Sequence, residues 1–181
     1  MMTTFHIEGW LPSAAWAGVA AACVSALIAL WGFWKQNKSY KESLALELAM
    51  KLDEKFNSKK FRKLRSLAAQ ALLNQGNENQ IADCEEIFDF FEPIGLFVKR
   101  GSLDAGLVHN FFFHWVNLYW NAGKRYIEQR RTHAGALWTE FERLYLKLVE
   151  IEKNEDKFSS DISPSQQQIE EQLREEIQDF S

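Results

Sequence analysis

The chain has 181 residues, a formal net charge of −4 and 46% hydrophobic residues, which leaves room for one folded domain with accessories and excludes two large domains. The small net charge conceals a gradient: Lys35 to Gln75 holds ten Lys or Arg against four Asp or Glu, whereas Glu152 to Ser181 holds three against nine. Such a chain, acidic overall, is not expected to bind nucleic acid, and its two cysteines, Cys23 and Cys84, do not suit a disulfide framework.

No charged residue lies between Glu8 and Lys35, and Leu11 to Trp34 is built almost wholly of Ala, Val, Leu, Ile, Gly and Trp. As a helix these residues reach roughly 36 Å, enough to cross a hydrocarbon core of about 30 Å. Trp10, Trp16, Trp31 and Trp34 cluster near the two ends, as aromatic residues do at membrane interfaces. The expectation is one transmembrane helix over 11–34. A cleaved signal peptide is disfavoured because nothing before Trp10 is basic. Lys35, Lys38 and Lys41 follow the run closely, so residues 1–10 are expected outside and the rest in the cytoplasm, facing anionic lipid through those three lysines. Ala14, Gly18, Ala22 and Ala26 form a row of small side chains that would let a second copy approach in the bilayer.

Beyond the run, apolar residues recur at helical spacing. Leu44, Leu48, Leu52 and Phe56 predict a helix from about Ser39, continuing from the apolar one. Asn57 or Ser58 can cap a second helix carrying Phe61, Leu64, Leu67, Ala68, Ala71 and Leu72, which completes a basic juxtamembrane segment over 35–75. After a loop at 76–80, a third helix runs from Ile81 to Arg100 and should bend before Pro93. Asp104 or Ser102 caps a fourth, with Phe111, Phe112, Trp115, Leu118 and Tyr119 as an aromatic heart that reads as core. A fifth holds Leu137, Trp138, Phe141, Leu144, Leu148 and Ile151. The fold class is therefore all-α: a transmembrane helix, then an antiparallel bundle of four to five helices whose aromatic core lies in 76–153.

Residues 154–181 read as an acidic linker and a short amphipathic helix. Its thin stripe, Ile169, Leu173, Ile177 and Phe180, is a candidate for binding a protein partner and is expected to be dispensable for folding.

The run FFEPIGLFVKRGSLDAGLVHNFFFHWVNLYW, Phe90 to Trp120, with YIEQRR at Tyr126 to Arg131, resembles a bacterial membrane family of unknown function, domain of unknown function 4760. Its members share an N-terminal membrane helix, a charged juxtamembrane helix and a helical domain with an FFE…G…V…G.LD signature and a YW pair. The resemblance implies an inner-membrane, single-pass location and brings no catalytic residues. The positions it marks, Phe91, Glu92, Gly95, Gly101, Leu103, Asp104, Tyr119 and Trp120, are expected to act as core aromatics, a close helix contact and caps.

Chemistry-bearing patterns are sparse. His109 and His114 stand five apart, about 140 degrees around a helix, and cannot readily share an ion. Glu85, Asp89 and Glu92 share a face, but the Glu-x-x-His units of carboxylate-bridged metal bundles are missing, so a solvated acidic face is expected. Cys84 could act as a nucleophile with His109, His114 or His133, yet a buried structural thiol is the commoner case. Phosphate loops, nucleophile elbows and zinc-protease motifs are absent. No cofactor, metal or enzymatic activity is expected. What is left is a membrane-anchored helical module that binds another protein; the alternatives are an anionic-lipid or membrane-surface sensor and an enzyme with an unrecognised site.

Overall fold

The computed structural model describes residues 12–74, 78–155 and 163–178, with side chains described from Trp31 onward except at 33, 34, 37, 38, 78–82 and 155. Among these residues the chain is all-helical, with six helices: α1 Pro12–Asn57, α2 Lys59–Leu73, α3 Glu78–Lys99, α4 Ala105–Ala134, α5 Thr139–Glu155 and α6 Gln166–Gln178. Two compact units result, Met1–Ser43 and Leu44–Ser181.

The first unit is helical from Pro12, a residue suited to the first helical position because its missing N–H needs no partner there. Among the described residues no helix is long and apolar enough to cross a membrane. The side chains of the expected span, Leu11 to Trp34, lie outside the described ones except at Trp31 and Gly32, and those of Ala14, Gly18, Ala22, Ala26 and Lys38 lie outside them too. Lys41 is exposed, and the Lys35 ammonium stands 5.5 Å from the Trp31 ring centre.

In the second unit, α1 enters the core through one stripe, Ala45, Leu48, Ala49, Leu52 and Phe56, at the three- and four-residue steps that keep a helix face turned one way. It ends where Ser58 leaves helical geometry and its hydroxyl accepts from the Phe61 amide, capping α2. Helix α3 runs through Pro93 without interruption, and the proline is exposed. It closes on Gly101, which takes φ 68° so that the amides of Gly101 and Ser102 reach the carbonyls of Val98 and Phe97. Asp104 then caps α4 at the Leu107 amide, 3.0 Å away.

The main core gathers Phe56, Phe88, Phe90, Phe91, Phe112, Tyr119, Trp120, Trp138 and Phe141, with aliphatic residues of α3, α4 and α5. Ring centres of Phe56 lie 5.2 to 5.8 Å from those of Phe61, Phe90, Phe91, Phe112 and Trp115, so α1 is pinned by one aromatic side chain. As expected from the spacing, the α4 aromatics are core: Phe112 and Tyr119 are buried, while Phe111 and Trp115 are partly buried against it.

Helix α6 is the main departure from the sequence reading. Ile169 and Leu173 are 7% and 2% exposed and form a second cluster with Ala69 of α2 and Leu118 of α4. Ile177 packs against the same cluster, and Phe180 lies outside the described residues. The part of the stripe that is described is thus packed within the chain. The stripe is narrow, but α2 and α4 offer small or flat residues that let a thin helix seat closely.

Candidate functional site

Helix α3 carries the residues that organise the domain, and they are acids. Glu85, Asp89 and Glu92 do share a face; Asp89 is exposed and the other two are half-buried, and each carboxylate is engaged by another helix or the turn before α5. Glu85 Oε1 accepts from the Tyr126 hydroxyl at 2.6 Å and lies 3.1 Å from Arg130 Nε. Asp89 Oδ1 accepts from the Trp138 indole N–H at 2.7 Å, and Glu92 Oε2 accepts from the Phe141 amide at 2.7 Å. The last contact is a cap supplied from a different helix: it satisfies one of the orphan amides in the first turn of α5 and places negative charge at that positive end. Arg131 completes the arrangement from α4, donating to the carbonyls of Leu137 and Trp138 and to Glu142 around the turn where Trp138 takes φ 52°.

Two glycines set how closely these helices approach. A Cβ at Gly95 would collide with the carbonyl of Glu140, and one at Gly123 would collide with the Phe88 ring. The motif positions singled out in the sequence thus serve packing and capping. Phe91 and Tyr119 are fully buried, and Trp120 stacks on Tyr145 with ring centres 5.5 Å apart.

The histidines and the thiol do not meet as a catalytic group. His109 Nε2 is 2.7 Å from Glu152 Oε2, His133 Nδ1 is 2.9 Å from the Thr132 hydroxyl, and His114 sits edge-on to Trp115, its pKa lowered by burial. Cys84 is fully buried, its thiol directed at the Ala68 carbonyl 3.6 Å away; loss of solvent, reinforced by Asp83 and Glu85, pushes its pKa up to about 12. A thiol so placed stays protonated and is a poor nucleophile. Among the described residues no group of three or more His, Cys, Asp or Glu is placed to hold a metal ion.

Two other places stand out. One is an open groove of about 640 Å³ between the end of α1, α2 and α3. Lys55, Lys60 and Lys63 line it beside Glu86 and Asp89, with Phe61, Leu64, Leu67 and Phe90 as its apolar surface. The Lys55 ammonium stands 5.6 Å from the Phe90 ring centre, and Leu67 is 39% exposed. The other is Arg65, 5% exposed, its guanidinium 4.5 and 4.3 Å from the ring centres of Phe56 and Trp115, which are 5.4 Å apart and flank it on one side. Its Nε lies 3.2 Å from Glu176 Oε2 of α6, close enough for charge attraction, yet neither Nε nor Nη1 makes a hydrogen bond of good geometry. The hydroxyl of Tyr119 is likewise buried without one, and its pKa is raised well above the ordinary value by loss of solvent and by Glu176. The sequence reading passed over Arg65. The signal was there: it falls on the apolar stripe of α2, between Phe61 and Ala68, where a charge needs a partner.

These features define, among the described residues, an all-helical domain whose most distinctive residues join helices to one another. The chain belongs to the family described as Domain of unknown function (DUF4760), whose model matches residues 19–148. No curated protein and no solved structure matches it.

Proposed function

We propose that this chain is a bacterial, single-pass protein of the inner membrane, with residues 1–10 outside, Leu11 to Trp34 crossing the bilayer and the helical domain in the cytoplasm as a protein-interaction module. The groove edged by Lys55, Lys60 and Lys63 carries the interaction reading. It offers apolar surface beside ammonium groups, which suits an amphipathic helix bearing acidic residues and is ill suited to chemistry on a small molecule. Support for the anchor comes from the uncharged run between Glu8 and Lys35 and its terminal tryptophans.

Anionic lipid is the second reading, favoured by the basic surplus of Lys35 to Gln75 and by the exposed Lys35 and Lys41. Photo-crosslinking in cells from a probe at Leu67 separates the two. Discrete protein adducts that vanish in a Lys60→Glu, Lys63→Glu double variant support the interaction module. Lipid adducts alone, or protein adducts indifferent to that variant, refute it. Release of the full chain from membranes by carbonate would refute the anchor.

A further inference from the structure

Arg65 is held in place before α6 contributes anything. The rings of Phe56 of α1 and Trp115 of α4, their centres 5.4 Å apart, form an aromatic corner on one side of the guanidinium, and α2 carries its backbone, so these contacts of Arg65 do not depend on the tail. Helix α6 covers it with little: two apolar side chains, Ile169 and Leu173, enter beside Ala69 and Leu118, and Glu176 brings the countercharge. The fit is incomplete. Arg65 Nε and Nη1 and the Tyr119 hydroxyl stay buried without hydrogen bonds while α6 is seated, so the pocket has more donor capacity than its occupant uses. A buried guanidinium presents a planar fork that matches a carboxylate through two parallel hydrogen bonds, a geometry that α6 does not reach.

We propose that the aromatic-walled pocket around Arg65 is a binding site for an acidic amphipathic helix of a partner protein, and that α6 fills it as an internal, displaceable substitute. The template for the partner is α6 itself: two aliphatic residues four apart and a carboxylate three residues beyond, on one helix face. Tethering gives α6 an effective concentration that a free helix must exceed, so an outside helix succeeds by engaging Arg65 and Tyr119 more fully or by arriving at high local concentration. This site is distinct from the groove edged by Lys60 and Lys63, so its test stands or falls separately from the reading above.

The experiment uses the full chain in detergent and a fluorescent peptide of residues 163–181. In the wild-type chain, hydrogen exchange should show α6 amides opening at least 100-fold more readily than those of α4, and an excess of isotopically marked peptide should deprotect the chain's own α6 further. A chain with Ile169→Ala and Leu173→Ala should bind the peptide at least tenfold more tightly than wild type, and a Glu176→Gln peptide should lose at least tenfold on that variant. If α6 amides exchange only as slowly as those of α4, α6 is a fixed part of the core and the proposal fails, whatever the variant's own stability. Equal peptide binding by wild type, by the variant and by an Arg65→Met chain would equally overturn it.

Discussion

The carboxylate of Glu92 on α3 accepts from the main-chain amide of Phe141 at 2.7 Å, so the first turn of α5 is capped by a residue 49 positions earlier in the chain. Removing it should cost what a lost cap and its charge–dipole contribution cost together, about 1 to 3 kcal/mol. Urea unfolding of Glu92→Ala and Glu92→Gln checks this. The glutamine keeps an acceptor and should recover part of the loss; equal losses for both would mean that the ionised carboxylate, not the hydrogen bond, holds α5.

Gly95 and Gly101 should respond to alanine for different reasons. At Gly95 the added methyl group meets the Glu140 backbone, which cannot swing aside as a side chain can, so α3 and α5 must separate. A loss of roughly 2 to 3 kcal/mol is expected from such overpacking. Gly101 has open space around it but a φ of 68°, so Gly101→Ala should cost only about 1 kcal/mol of backbone strain. Thermal melts of the two variants should rank in that order.

Glu176 and Arg65 are 7% and 6% exposed at their side chains, and breaking a pair so far from water leaves one charge without its countercharge. Glu176→Gln is expected to destabilise the domain by roughly 3 kcal/mol, and Arg65→Met in the same chain to restore much of that, because an apolar residue of similar length suits the space beside the Phe56 and Trp115 rings. Cutting after Lys153 should lower the melting temperature for the same reason. Near-constant melting temperature in the cut chain would show that α6 contributes nothing to the domain.

Cys84 makes a pH prediction whose sign is fixed. Its pKa is raised from 9.0 to about 12 in the folded domain, while the unfolded thiol ionises near 9.0. Below that value both states are protonated and stability is unaffected; from about pH 9 upward the unfolded state alone gives up its proton, so stability should fall progressively until the folded thiol ionises too. Denaturant midpoints of Cys84→Ala and wild type, followed from about pH 8 to about pH 11, should differ in slope. In a Cys23→Ser chain at about pH 8, a thiol reagent should label Cys84 only as fast as the domain opens.

The helices were legible because each needs an apolar face, and all six described helices emerge from spacing and capping signals near their observed ends. The caps at Ser58 and Asp104 and the stop at Gly101 were readable too, since local geometry decides them. What stayed hidden was long-range. Glu85, Asp89 and Glu92 look like a wet face in one dimension, because nothing local says that Tyr126, Trp138 and the Phe141 amide will arrive to use them. Likewise Ile169 and Leu173 make too thin a stripe to announce a docked helix, and its seat is built by Ala69 and Leu118 from elsewhere. The groove at Lys60 and Lys63 belongs to three helices at once and has no sequence motif of its own.

The three carboxylates of α3 also dictate an order of events during synthesis. Their partners are made 41 to 49 residues later, so α3 emerges from the ribosome with acceptors unfilled and its phenylalanines only partly covered, and neither need is fully met until Phe141 exists. A domain wired this way cannot mature segment by segment from its N-terminal side. Nascent chains stalled before about residue 141 should be protease-sensitive and bound by holdase chaperones, and those stalled well beyond it should gain resistance in a single step.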